Sequence, residues 1–199
     1  MTEGLGGHLP LLHPAEMDQA QRTLYDHIAA TAVPWAGAAG FRIETAEGRL
    51  IGPFNAVLFS PDIGRSFLDL QNEEGKRTAL SERVRQVVIL TVGSVWQAPY
   101  ELYAHSAVAR RAGLSKEAVR ALAGGEPADD LSHEERVAQR FTRQLASERR
   151  VDDETYRVAE SAFGRKGLVD MVVLSGCYHL VCSMLNAFGI PAPPDDAPR

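Results

Sequence analysis

Apolar positions in this 199-residue chain recur mostly at intervals of three and four, the spacing of one helix face. Met17, Leu24 and Ile28 keep that spacing from Pro14 to about residue 32, and Pro14 suits a helix start. The period is then lost over 33–60, where AVPWAGAAG and AEGRLIGPFN read as loop, with Phe41–Ile43 and Arg49–Ile51 as a small ribbon. So long an irregular stretch usually forms a lid, a pocket wall or a subunit contact. It therefore marks Phe54 and Asn55 as candidate binding residues, although Phe54 is as readily a core side chain.

After Pro61 the helical pattern dominates. Ile63, Phe67, Leu68 and Leu70 predict a helix ending near Gly75, and Ser81 opens the next, whose middle (VVILTV) is apolar all round and so belongs at the centre. Pro99 permits a fresh start for YELYAHSAVARRAG, which runs to Gly113. Ser115 caps a short helix stopped by Gly124-Gly125, and Ser132 with Glu135 has capping-box spacing. A helix from Asp152 or Asp153 ends around Gly164, and a last one precedes Pro191. The pattern predicts an all-α helical bundle: a flexible arm over 1–14, one domain over 15–191 and a disordered tail over 192–199.

Composition narrows the function classes. An apolar fraction of 45% and a charged fraction of 24% are those of a globular protein. With 21 Lys and Arg against 26 Asp and Glu, the net charge of −5 gives no reason to expect nucleic acid or an anionic membrane as partner. No segment reads as a secretory signal or as an apolar run long enough for a bilayer, so a cytoplasmic location is expected. There is no phosphate-cradling Gly-Lys-Ser/Thr loop. Cys177 and Cys182 are five apart on one helix and so point roughly 140° away from each other, which suits neither a disulfide nor a redox pair.

The candidate chemistry centres on Glu101 and His105, one helical turn apart and therefore on nearly the same face. A carboxylate accepting an imidazole N–H fixes the ring's tautomer and raises its basicity, leaving the other nitrogen to exchange a proton. The same spacing is common on solvated helices, but Trp96, Tyr100 and Tyr103 surround the pair and the preceding helix is apolar enough to be buried. Tyr178 and His179 lie in another apolar helix and need polar partners or a ligand. No local spacing supports a metal site.

The stretch LSERVRQVVILTVGSVWQAPYELYAHSAVARRAGLSKEAVRALAGG resembles the carboxymuconolactone decarboxylase family, which shares its fold with the alkylhydroperoxidase D-like proteins. GPFNAVLFSPDIG upstream and LNAFGIP downstream extend the likeness over most of 15–191. The resemblance implies a cofactor-independent lyase (decarboxylase) or isomerase acting on a small anionic lactone or β-keto acid. It implies His105, Glu101 and the position of Gln86 as the proton-transfer group, and Arg85 as an anchor for a substrate carboxylate. Phe54, Asn55, Trp96, Tyr100, Tyr103, Tyr178 and His179 would then line the pocket, and the protein would assemble as a homo-oligomer, trimer or hexamer. Two departures matter. The Cys-x-x-Cys pair of the peroxidase branch is replaced by Ala98 and Glu101, which disfavours thiol peroxidase chemistry. Gln86 stands where the family usually carries Glu, and an amide cannot accept and release a proton at neutral pH. A non-catalytic member that binds a small molecule or a partner is the alternative.

Overall fold

A computed structural model describes residues 4–194. Among them are eight α-helices: α1 (Gln19–Ala39), α2 (Pro53–Val57), α3 (Pro61–Arg77), α4 (Glu82–Trp96), α5 (Pro99–Arg111), α6 (Lys116–Ala123), α7 (His133–Glu148) and α8 (Asp153–Ala187). The all-α expectation holds. α4 is the central element, packed against α5, α6, α7 and α8, and every residue from Gln86 to Gly93 is buried. Its start is the expected one: Ser81 Oγ accepts from the Val84 backbone N–H. The Ser115 cap and the Ser132–Glu135 capping box form as predicted.

Two readings are corrected. Residues 33–39 are helical, not loop: α1 runs through Pro34, buries Ala36 and Ala39, and ends at Gly40 in the left-handed conformation (φ 88°). Proline removes one backbone donor, and core burial on either side of it outweighs that loss. Residues 53–57 also form a helix, begun by Pro53. Between α1 and α2 the expected ribbon is present in minimal form, with the Ile51 N–H donating to Ile43 O at 2.8 Å and a single bridge between Glu44 and Leu50.

The arm expected to be flexible is docked over residues 4–13. The His8 N–H donates to Phe188 O at 2.7 Å, while Leu5, Leu9, Leu11 and Leu12 pack on the core. Residues 195–199, most of the predicted tail, lie outside the described residues.

The two helices expected on either side of Gly164 are present within α8, which breaks at that glycine, whose backbone is not helical (φ 63°, ψ 174°). Beyond sequence position 164 the chain is apolar enough that α8 contains an 18-residue window of mean hydropathy 1.7, sufficient to cross a membrane by length and composition alone. The expectation that no such segment exists is therefore amended. Leu168, Met171, Leu174, Cys177, Val181, Cys182 and Leu185 of this helix are buried in the protein's own core.

Candidate functional site

A short connection places the central pair. α4 ends at Gln97 in the left-handed conformation (φ 49°), and Pro99 begins α5 two residues later, so the two helices pack as an antiparallel hairpin. Their close approach depends on Gly93, where an added Cβ would lie 3.1 Å from Leu102 Cδ2 and 3.4 Å from Glu101 Cγ. Tyr100 is fixed in the same way. Its ring lies against Gly52, whose positive φ (65°) and missing side chain make the space, and its hydroxyl donates to Arg42 O at 3.1 Å.

Glu101 and His105 then face a cavity of about 490 Å³. Gln86, Arg85 and Glu82 enter it from α4, and Phe67, Leu68, Gln71, Asn72 and Lys76 from α3. α1 supplies His27, Thr31 and Trp35, α2 supplies Phe54 and Val57, and α8 supplies Tyr178 and Val181. Glu101 and His105 are 3% and 6% exposed, so the pair forms a sheltered floor. Lys76 and Glu82, with largely exposed side chains, mark the mouth.

The hydrogen-bond network fixes the proton positions. One end of the Gln86 amide lies 2.8 Å from Glu82 Oε1 and must be the NH₂, because a carboxylate only accepts. The amide oxygen therefore faces His105 Nδ1 at 2.9 Å, and Nδ1 must carry a hydrogen. His105 Nε2 is left with its lone pair, 3.3 Å from Glu101 Oε1. That distance suits an ion pair, yet Oε1 is buried without an aligned hydrogen-bond partner. Burial pushes the Glu101 carboxyl up to about 8. Burial, and then the nearby Arg85 charge, push the His105 imidazole down to about 3. Both shifts favour a neutral acid beside a neutral base. This reverses one expectation: Gln86, not the Glu101 carboxylate, sets the imidazole tautomer. Tyr178 packs edge-on against the imidazole, with ring centroids 4.9 Å apart.

Of the expected binding residues, Arg85, Phe54, Tyr100 and Tyr178 line this cavity together with Gln86, Glu101 and His105. The other four lie outside its lining. Asn55 is wholly buried and ties down the arm, its Nδ2 donating to Pro10 O and its Oδ1 accepting from the Leu12 N–H, each at 3.1 Å. Trp96 Nε1 donates to His179 Nδ1 at 2.6 Å, so these two satisfy each other. The Tyr103 hydroxyl accepts from the Arg42 N–H at 3.1 Å. Arg85 is not a free anchor: it ion-pairs with Glu74 and, at 3.3 Å, with Glu82. Glu82 had a sequence signal, lying three residues before Arg85 and four before Gln86. Glu74 had none, since it reaches Arg85 from another helix. Among the described residues, no group of three or more His, Cys, Asp or Glu side chains is arranged to hold a metal.

Neither cysteine lines the cavity. Both are free and buried, and burial raises both thiols, that of Cys182 strongly. Raised thiols make poor nucleophiles.

Fold and site together define an all-helical protein built around an enclosed acid–base pair. Residues 61–143 match the carboxymuconolactone decarboxylase family, so the likeness to that family rests on this central segment. The match takes in every polar group of the network from Glu74 to His105, whereas α1, α2 and α8 supply walls from outside it. Among solved structures the chain is similar to an uncharacterized peroxidase-related protein with an alkylhydroperoxidase AhpD core from Ralstonia eutropha. That pair has a TM-score of 0.72 and 18% identity, covering 95% of this chain and 92% of the other. It is also similar to an uncharacterized peroxidase-related protein from Silicibacter sp., with a TM-score of 0.72 and 15% identity over 96% of this chain and 93% of the other. A protein of unknown function from Agrobacterium tumefaciens is similar at a TM-score of 0.65 and 15% identity, over 71% of this chain and 97% of that one. At these identities the likeness shows a shared alkylhydroperoxidase D-like fold. No curated protein matches the sequence significantly.

Proposed function

We propose that the protein is a cofactor-independent enzyme, of the lyase or isomerase type, that transfers a proton on a small carbonyl compound. One observation carries this reading: a buried carboxyl and a buried imidazole, 3.3 Å apart, share the floor of a cavity. With Nδ1–H held by Gln86, His105 Nε2 can accept a proton from carbon, and the protonated Glu101 can donate one to a carbonyl oxygen. In an isomerase both events occur on one substrate. In a lyase, loss of carbon dioxide leaves an enolate, and Glu101 supplies the proton. The aromatic walls exclude water and strengthen these interactions.

The test is hydrogen exchange in D₂O, followed by proton NMR, over a panel of ketones, lactones and β-keto acids. Conversion or α-deuteration by the wild type, reduced about 10²–10⁴-fold in His105→Ala, is the expected result. Equal turnover by His105→Ala removes the assignment. Gln86 favours a second reading, a non-catalytic binder, because an amide ends any proton relay at His105. Binding without conversion across the panel supports that reading instead.

We place this activity in a cytoplasmic homo-oligomer. Val169, Val172, Val173 and Leu180 form an exposed apolar row on α8, opposite its core-facing side, and suit contact with another copy. A monomer in light scattering at micromolar concentration contradicts that assembly.

A further inference from the structure

Resting on that reading of Glu101 and His105, we propose that the cavity takes a neutral, largely apolar carbonyl compound and rejects the matching carboxylate. The arginine of its lining is already held by two acids of this chain, and its lysine stands in solvent at the mouth beside a third.

Arg85 is the only guanidinium among the described lining residues, and its side chain is 12% exposed. Glu74 contacts it from one direction and Glu82 from another. Two carboxylates against one guanidinium leave an excess of negative charge. Glu74 Oε1 is itself buried without a hydrogen-bond partner. A ligand carboxylate brought here would lose its water and meet no unpaired cation. Lys76 stands at the mouth, 3.6 Å from Glu73. Besides His105 on the floor, the other basic side chain of the lining is His27, on α1.

The remaining surface is suited to a hydrocarbon skeleton. Trp35, Phe41, Phe54, Phe67, Tyr178 and Val181 supply its walls, and its volume of about 490 Å³ matches a small-molecule site. Among the described lining residues the one unmet polar demand is at the floor, where Glu101 Oε1 is buried and lacks an aligned partner. A carbonyl oxygen satisfies a carboxyl O–H there.

The step that follows is balanced without any co-reactant. The proton on the carbon beside the carbonyl passes to His105 Nε2, and the C–H electron pair becomes the C=C bond of an enol. The carbonyl oxygen takes the Glu101 proton, leaving an imidazolium beside a carboxylate. Return of the imidazolium proton to the same carbon, as the enol O–H proton goes back to Glu101, gives exchange; where a substrate C=C bond is conjugated with the enol, protonation at the far carbon of that dienol, with the same return to Glu101, completes an isomerisation. Decarboxylation needs a substrate carboxylate in this space, so the charge arrangement favours the isomerase branch.

A matched pair of probes tests the substrate class: 4-phenylbutan-2-one and 3-phenylpropanoate differ only by a methyl group against a carboxylate oxygen. Calorimetric titration of the full chain at pH 7 should show the ketone binding at least tenfold tighter. Glu74→Gln removes one of the two acids on Arg85 and should move the ratio toward the carboxylate about tenfold. If that variant does not fold, Glu82→Gln at the exposed mouth should move it the same way by less. Equal or tighter binding of the carboxylate to the wild type overturns the substrate class, as does binding of neither probe at millimolar concentration. A wild type that prefers the ketone yet exchanges none of its α-hydrogens in D₂O leaves the class standing and breaks the proton-transfer reading alone.

Discussion

Glu101 and Glu135 are equally buried, each 3% exposed, and the protein treats them in opposite ways. Glu135, on α7, accepts from Arg83 Nε at 2.6 Å and Nη2 at 3.2 Å, and from the Ser132 N–H at 2.9 Å. Those bonds, the Arg83 pair first, hold its carboxyl below the usual carboxylate range despite its burial. Glu101 has no such set, and burial alone drives its carboxyl upward. Both groups sit next to α4, with Arg83 serving one and Gln86 flanking the other's histidine. Burial by itself therefore does not mark a site. An incompletely partnered acid facing a cavity does.

That contrast breaks cleanly under substitution. His105→Ala should cost the activity about 10²–10⁴-fold and leave the fold intact, since its ring borders empty space. Glu135→Ala should do the reverse. Losing a helix cap together with a bidentate ion pair should destabilise the protein by about 3 kcal/mol in chemical denaturation, with turnover per folded molecule unchanged. A Glu135→Ala protein of normal stability would show that the pairing is decorative.

Helical period and caps were legible from sequence because they are local. Ser81, Ser115 and Ser132 each start the expected helix, and Glu101 with His105 was found by a spacing of one turn. What was not legible depends on contacts between distant segments. α1 continues past Pro34 because Ala36 and Ala39 find the core. Asn55 was read as a ligand contact, whereas its partners Pro10 and Leu12 are more than forty residues away in sequence. Glu74, which decides whether Arg85 can hold an anion, belongs to another helix. The Gln86 substitution was visible, but its part in setting the tautomer required the position of Glu82.

A smaller effect sharpens the comparison through pH. Between about 4.5 and 6.5 the unfolded chain carries one proton on this pair, as imidazolium and carboxylate, and the folded chain also carries one, as a carboxylic acid and neutral imidazole. With equal counts, the pair adds no pH dependence there. Above 6.5 the unfolded pair loses its last proton while the folded one keeps it until about 8, so stability falls as pH rises. The loss reaches about 2 kcal/mol by pH 8. Glu101→Gln should abolish that alkaline loss and melt above the wild type at pH 8. Glu135→Gln has no such benefit, because its carboxylate is stabilised in the folded state. A parallel decline of the Glu101→Gln and wild-type melting temperatures between pH 6.5 and 8 would show that Glu101 is ionised in the folded protein.

The smallest effect isolates Gln86. Its amide passes no proton, so its contribution is to hold one tautomer and orient one ring. Gln86→Leu keeps the volume and removes both hydrogen bonds, freeing Nδ1 and allowing the hydrogen to move to Nε2, the nitrogen that must accept. Loss of one orienting hydrogen bond of about 1.4 kcal/mol corresponds to roughly tenfold in rate. The defect should fall on turnover rather than on ketone binding, because Gln86 touches the base and not the apolar walls. Gln86→Glu separates orientation from relay. It restores an ionisable group beside Nδ1 but places a second acid against Glu82, and it should raise the imidazole's affinity for a proton. The pH profile of turnover should then move upward, while Gln86→Leu lowers the rate without moving it. A Gln86→Leu enzyme with unchanged rate would mean that the cavity alone orients His105, leaving Gln86 with a purely structural part like that of Glu135.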